Sequence, residues 1–361
     1  MKKFLTIMMV LFSIIVISAC GKEEEKPGNI NKADGKYFAI QEVEDMAKIE
    51  DYRYWTVVTI KNKKITDVEW NAYHTQGGLA KCEGADKYTC SVAKKYGMEN
   101  DPNNSAGAWH TQADKATKWI IDNQQYSGLD FTGGVADDIS SVTMTTEELF
   151  VLVGKALASD PVESGDFGDD GYYYAEVEGD SKTETYAKAN EEGIPVDTEG
   201  NALTEAYTKA ELDLMEVTFT NLTFGSFIVV NGTLVHADFN AAYGLYDFAM
   251  NENKAFIKTD ATDIETQYKL VLHKDEKPVN TYKTKDGAKY NYGMRGASFD
   301  NPDKEWFKQA EAAETKLLTD QTLEITVTDG NGVIDGLTSV TMAHTVVDFK
   351  TIIDEVLDLA N

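Results

Sequence analysis

Ser141-Val142-Thr143-Met144 returns unchanged as Ser339-Val340-Thr341-Met342, and the flanking sequence repeats around that pair. Trp109-x-x-Gln112-Ala113-Asp114 returns as Trp306-x-x-Gln309-Ala310-Glu311, and Tyr96-Gly97-Met98 as Tyr292-Gly293-Met294. Further upstream, Trp70-Asn71-Ala72 returns as Phe239-Asn240-Ala241, and Asp34-Gly35-Lys36-Tyr37-Phe38-Ala39 as Asp170-Gly171-Tyr172-Tyr173-Tyr174-Ala175. The order is kept, at offsets of 198, 197, 196, 169 and 136 residues. Five matches in one order predict a duplicated chain. The steps in offset place 33 extra residues of the second copy before Phe239 and 27 more between Asn240 and Tyr292.

The first copy then spans residues 34–157 and the second 170–361. The acidic stretch at 158–169, with Pro and Gly, reads as an interdomain linker that crosses few contacts. Tyr54–Ile60 and Leu323–Thr328 are alternating or β-rich and predict strands. Leu149, Leu152, Val153, Ala156 and Leu157 fall on one helical face, as do Phe349, Ile352, Ile353, Val356 and Leu357. The segments around Gln112 and Gln309 also predict helices. The fold class is α+β: two tandem copies of a small domain, each a mixed or antiparallel sheet with helices. Thr143 and Thr341 then lie on the turn into the last helix of each copy. Thr145 with Glu148, and Thr345 with Asp348, have capping-box spacing, so each motif also reads as an ordinary helix start.

Composition sets limits on function. The 361 residues, 42% hydrophobic, supply enough apolar material for two cores, and 18 Tyr, 15 Phe and 5 Trp exclude general disorder. Against 34 Lys and Arg stand 61 Asp and Glu, a net charge of −27. Such a surface repels phosphate, which excludes nucleic-acid binding and charge-driven contact with an anionic membrane. Lys2-Lys3 followed by the apolar run Phe4–Ile17 predicts an export signal over residues 1–19. Ile17-Ser18-Ala19-Cys20 resembles the lipobox of bacterial lipoproteins, which implies that Cys20 is acylated; an ordinary signal with a chance cysteine is the alternative. Residues 20–33 read as the lipidated Cys and a charged tether reaching about 40 Å at most. Cys82 and Cys90 fit no zinc spacing and are either a local disulfide or two free thiols. The five His residues show no metal spacing, and no hydrolase triad, phosphate-binding glycine loop or haem-attachment motif is present.

Asp137-x-x-Ser140-Ser141-Val142-Thr143-Met144-Thr145 and Asp335-x-x-Thr338-Ser339-Val340-Thr341-Met342-Ala343 resemble the flavinylation motif of the FMN-binding domain family. That motif runs Asp-x-x-(Ser/Thr)-Gly-Ala-(Ser/Thr)-x-(Ser/Thr). Here Ser-Val replaces Gly-Ala in both copies, and Ala343 replaces the last hydroxyl of the second. The resemblance implies two covalent FMN groups, joined by phosphoesters to Thr143 and Thr341, and an exported FAD:protein FMN transferase as partner. It assigns Asp137, Ser140, Ser141, Asp335, Thr338 and Ser339 to the same sites, the two Asp as holders of a transferase metal or of the attacking hydroxyl. It further implies a lipid-anchored electron carrier on the outer face of a Gram-positive cell membrane. Electrons would pass from a membrane quinol-linked donor to extracellular oxidants such as ferric iron. A covalent link suits an exported protein, from which a dissociating flavin would be lost. Trp70, Tyr73 and Trp109, with Phe239, Tyr243 and Trp306, are candidate walls for the flavin ring or ordinary core. Tyr96-Gly97-Met98 and Tyr292-Gly293-Met294 are the best wall candidates, because Met adapts to a ring edge and Gly permits close approach. A ligand-binding or adhesive lipoprotein of the same fold without flavin is the rival reading, and the released signal fragment acting as a peptide pheromone is a third.

Overall fold

The computed structural model describes residues 30–46, 48–101, 104–188, 196–204, 209–242, 256–258, 283–289, 292, 294 and 302–360. The export signal, Cys20, most of the tether, Tyr243 and Gly293 lie outside them. Strand β1 (Gly35–Ile40) pairs antiparallel with β2 (Tyr52–Lys61), which pairs antiparallel with β3 (Lys64–His74). Asn62 and Lys63, at φ of 53° and 61°, make the two-residue turn between β2 and β3, the conformation such hairpins require. Helices α1 (Lys87–Val92) and α2 (Trp109–Asn123), a short hairpin of β4 (Phe131–Thr132) and β5 (Val135–Ala136), and helix α3 (Glu147–Ala158) complete the first half.

The second half follows the same succession. Strands β6 (Gly171–Lys188), β7 (Leu214–Val230) and β8 (Thr233–Ala241) form a sheet whose far edge is β9 (Phe256–Lys258). Asn231-Gly232 makes the tight turn here, at φ of 53° and 71°. Then come α4 (Lys285–Ala288), α5 (Trp306–Asp320), the hairpin β10 (Ile325–Thr328) and β11 (Asn331–Ile334), and α6 (Ala343–Ala360). The protein is α+β, and every described strand pair is antiparallel. The mixed-sheet alternative is not adopted, because strands joined by two-residue turns must run in opposite directions. Part of the insertion before Phe239 lengthens the first hairpin of this half to strands of 18 and 17 residues, against 6 and 10 in the first half.

Each sheet is covered on one face by its own helices. Val58, Ile60 and Val68 meet Ala116, Ile120, Leu149 and Val153 in the first core, and Phe227, Val229 and Phe239 meet Ala310, Leu317, Phe349 and Ile353 in the second. Phe239 stacks on Phe349 with ring centroids 4.0 Å apart. Gln124 and Gln321, left-handed residues just past α2 and α5, clamp helix to sheet in the same way. Gln124 exchanges two hydrogen bonds with the Ile65 backbone, and Gln321 two with that of Leu234.

The other faces of the two sheets meet one another. Trp55, Val57 and Tyr73 pack with Ile228 and Val230, and Val162 from the connecting segment packs against them. Tyr73 Oη donates to Asp238 Oδ2 at 2.6 Å, lies 2.8 Å from His236 Nε2, and stacks on Tyr172. Segment 158–169 is held by both halves: the Val162 amide donates to Lys36 O and the Asn231 side chain to Val162 O. The expected linker of few contacts is thus a packed strap, because both sheets carry apolar residues on their outer faces.

The expected capping boxes are not formed. Helix α3 starts at Glu147, with Thr146 as N-cap, and the Thr146 hydroxyl accepts from the Ala136 amide instead. Thr345 lies inside α6, which begins at Ala343.

Candidate functional site

Thr143 and Thr341 are exposed and stand four and two residues before α3 and α6. Each is fixed by a buried glutamine from the neighbouring long helix. Gln112 Oε1 accepts from the amides of Thr143 (2.8 Å) and Met144 (3.2 Å), and the Thr143 hydroxyl reaches it at 3.4 Å. Gln309 Oε1 accepts from the Thr341 amide at 2.6 Å and its hydroxyl at 3.3 Å. The glutamines are in turn oriented by their side-chain amides, which donate to Gly107 O and Lys304 O. The repeated Gln112 and Gln309 therefore present one threonine each. Lysines also reach these loops: Lys115 Nζ donates to Ser141 O at 3.2 Å, and Lys304 Nζ to Ser339 O at 2.9 Å.

The remaining motif residues divide. Ser140, Ser141, Thr338 and Ser339 are exposed beside the threonines. Ser141 adopts φ of 61°, a left-handed position that a glycine occupies at least cost. Val142 turns into the core and Val340 packs against its own, so neither projects over the threonine. Asp137 and Asp335 serve the small hairpins, accepting from the hydroxyls of Thr132 and Thr326. Among the described residues neither bonds to Thr143 or Thr341.

One helical turn before Gln112, Trp109 belongs to an aromatic cluster that encloses Lys87. Lys87 opens α1, is 3% exposed, and its ammonium lies 4.5–5.0 Å from the ring centroids of Tyr52, Tyr54, Tyr96 and Trp109. It donates to the Tyr54 hydroxyl. Burial pushes this amine down to about 7, outweighing the pull of Asp51 and Glu148. Burial likewise pushes the Glu148 carboxyl up to about 7, against the opposing effect of Lys87. The second half carries the counterpart: Lys285 opens α4, 5.3 Å from the Tyr292 ring and 5.8 Å from that of Trp306, and burial lowers it to about 8. Burial raises Asp348, whose charge acts on Lys285. Asn71 and Asn240 anchor the two lysine turns, accepting from the amides of Tyr88 and Asp286.

Tyr96 and Met98 join the first cluster, and Tyr292 and Met294 pack against the second core. Gly97 is required by its φ of 92°, and an added Cβ there would meet the Lys81 ammonium at 2.7 Å. Trp70 and Trp109 line the first cluster with centroids 5.2 Å apart, whereas Tyr73 belongs to the seam between the halves. Sequence repeats had signalled Gln112 and Gln309 without a role. Lys87, Lys285, Lys115 and Lys304 were missed, since lone charges in an acidic chain carry no pattern, and Glu148 and Asp348 were read only as capping-box partners.

The polar atoms bear on what this arrangement holds. Four buried side-chain polar atoms among the described residues have no hydrogen-bond partner, and three belong to the two clusters: Trp70 Nε1, Glu148 Oε1 and Trp306 Nε1. Buried groups of this kind are rare unless a partner completes them. A flavin ring offers both carbonyl acceptors and an N–H donor along its pyrimidine edge, so the residues present fit one. A cleft of about 400 Å³ borders the first cluster, lined by Trp70, Asn71 and Tyr88 together with the acidic Asp67, Glu69 and Asp86, and a second of about 380 Å³ lies at the seam, lined by Arg53, His236, Asp238 and Glu314. Cys82 and Cys90 are joined as a disulfide, Cα atoms 5.6 Å apart. Among the described residues no group of three His, Cys, Asp or Glu is arranged to hold a metal, and no helix is long and apolar enough to cross a membrane.

No protein-family model matches the chain, and no curated protein matches it. A similar solved structure is the solution NMR structure of a Clostridium thermocellum protein from the Northeast Structural Genomics Consortium. It is 29% identical over 35% of this chain and 89% of that one, with a TM-score of 0.25. A likeness at that TM-score carries no structural argument.

Proposed function

We propose that the chain is an electron-carrying flavoprotein of the FMN-binding type, with FMN joined through phosphoesters to Thr143 and Thr341. The observation that carries this reading is one arrangement present twice. An exposed threonine, its amide fixed by a buried glutamine and its loop met by a lysine, stands before a helix and beside an aromatic cluster with orphaned polar atoms. In the attachment step the threonine oxygen bonds to the FMN phosphorus of FAD. The pyrophosphate bond breaks, AMP leaves, and the hydroxyl proton passes to a base of the exported transferase. Gln112 and Gln309 hold the loops in the presenting conformation. Lys115, Lys304 and the positive ends of α3 and α6 favour the phosphate that results.

FMN held at these threonines would supply the redox chemistry, two-electron exchange with a quinol and one-electron exchange with ferric iron or comparable oxidants. The chain's own groups would give it walls, charge and shelter: Trp70, Tyr96, Met98 and Trp109 in the first half, Tyr292, Met294 and Trp306 in the second, whereas Phe239 is taken up by its stack on Phe349 in the core. Acylation at Cys20 would keep the carrier near a membrane quinol-linked donor. The test is to co-produce the full chain with an FAD:protein FMN transferase and run a denaturing gel. Flavin fluorescence that stays with the band is the expected result. A dark band of folded, transferase-exposed protein overturns the reading and favours a lipoprotein that binds or adheres without flavin.

A further inference from the structure

A buried ammonium is costly unless something compensates its charge. Lys87 is 3% exposed and rings surround it on four sides, yet among the described residues it makes no ion pair within 4 Å. Aromatic faces attract a cation, and the Tyr54 hydroxyl accepts one hydrogen bond, but neither supplies a full negative charge. Glu148 nearby leaves Oε1 without a partner instead of pairing with the ammonium. Lys285 is the half-buried counterpart, 5.3 and 5.8 Å from the Tyr292 and Trp306 rings, with Trp306 Nε1 unpartnered. Both lysines occupy the first position of a short helix anchored by a repeated asparagine, Asn71 or Asn240. Both clusters begin one helical turn from the glutamine that fixes the threonine, through Trp109 with Gln112 and Trp306 with Gln309.

We infer that Lys87 and Lys285 are the charge partners of the two flavins, each ammonium set to face the ring edge that becomes negative on reduction. The inference rests on the proposed flavin attachment and deepens it. Uptake of two electrons and one proton leaves the reduced ring with one negative charge. Of the two protons released by the quinol one goes to the ring, and the second goes to the lysine where its amine is neutral and otherwise to solvent. The ammonium stabilises the reduced form more than the oxidised one and so raises the potential at which the carrier accepts electrons. The depressed amine values agree with this, since a negative neighbour is what would return each lysine to full charge. The unpartnered Glu148 oxygen and indole N–H groups are hydrogen-bonding complements for the same polar edge. The two seats are not identical: Lys87 sits among four rings on a helix stapled by Cys82–Cys90, whereas Lys285 is near two rings.

The test uses full-length chains carrying a single flavin, made by Thr341→Ala or Thr143→Ala and loaded by the transferase. Flavin content is read by intact mass and the midpoint potential by spectroelectrochemistry at pH 7. In the Thr341→Ala chain, Lys87→Met and Lys87→Gln are each expected to lower the potential by about 30 mV or more, a tenfold change in the reduction equilibrium of a two-electron couple. Lys87→Arg keeps the charge and should restore most of it. Lys285→Met and Lys285→Arg should behave likewise in the Thr143→Ala chain. If either neutral variant bears flavin with its parent's potential, or if arginine falls as far as methionine, the lysine assignment is overturned while the attachment reading stands. A parent chain without covalent flavin overturns the attachment reading itself, and the inference with it.

Discussion

Thr143 and Thr341 are presented by residues that do not belong to the motif around them. Gln112 accepts from two backbone amides of the Thr143 loop, and Gln112→Ala leaves those donors without their partner, at a cost of about 1–3 kcal/mol. The same change should slow flavin attachment at Thr143 and leave Thr341 unaffected, with Gln309→Ala showing the mirror image. Timed exposure to the transferase, followed by intact mass, checks this; equal slowing at both threonines would contradict it. Thr143→Ser keeps the nucleophilic oxygen and should still be labelled. Lys87 gives a pH signature to the flavin-free chain. Its folded value of about 7 lies below the ordinary 10.5, so between these values the unfolded chain binds more protons. This lysine's contribution therefore makes stability rise as pH increases from about 7 towards 10.5. Lys87→Met should remove that component and stabilise the flavin-free chain at pH 7. Denaturant midpoints at pH 7 and 9 that respond identically in both proteins would show that Lys87 is not the titrating group.

At the level of elements, the helical periodicity placed the inner faces of α3 and α6 correctly, with Leu149, Val153, Phe349 and Ile353 all buried. Helix starts were less legible. Thr145 with Glu148 has the spacing of a capping box, but three threonines lie between residues 143 and 146, and only tertiary contact selects among them. The Thr146 hydroxyl is taken by the Ala136 amide of the small hairpin, and α6 begins before Thr345. The pairing of Cys82 with Cys90 was left open by spacing alone, and it fastens the short helix that carries Lys87. A loop this small contributes about 2–3 kcal/mol through the unfolded chain. Replacing both cysteines by serine should lower the stability of the flavin-free protein by roughly that amount. Hydrogen exchange should rise first around residues 82–96, and an unchanged exchange pattern would argue against the staple.

On the scale of the whole molecule, residues paired by the sequence repeat make corresponding contacts: Gln112 and Gln309 each hold a threonine amide, and Asn71 and Asn240 each accept from a helix-start amide. The seam was not legible in the sequence. Linker composition says nothing about the outer faces of its neighbours, and the real signal was that Trp55-Thr56-Val57-Val58 and Phe227-Ile228-Val229-Val230 run apolar without clean alternation. Such runs are expected of strands buried on both faces. A fragment ending at residue 158 would expose Trp55, Val57 and Tyr73. It should therefore unfold at lower denaturant than the same segment in the full chain, as read by hydrogen exchange; equal stability would show the halves to be independent. Trp55→Ala in the full chain should cost about 3–5 kcal/mol and weaken both halves together. The central claim, two threonine-linked flavins on one chain, is tested most directly by intact mass after co-production with the FAD:protein FMN transferase. Two FMN increments are predicted for the parent, one for Thr143→Ala, one for Thr341→Ala, and none for the double variant. An unmodified parent, or a double variant that still carries FMN, would contradict the account.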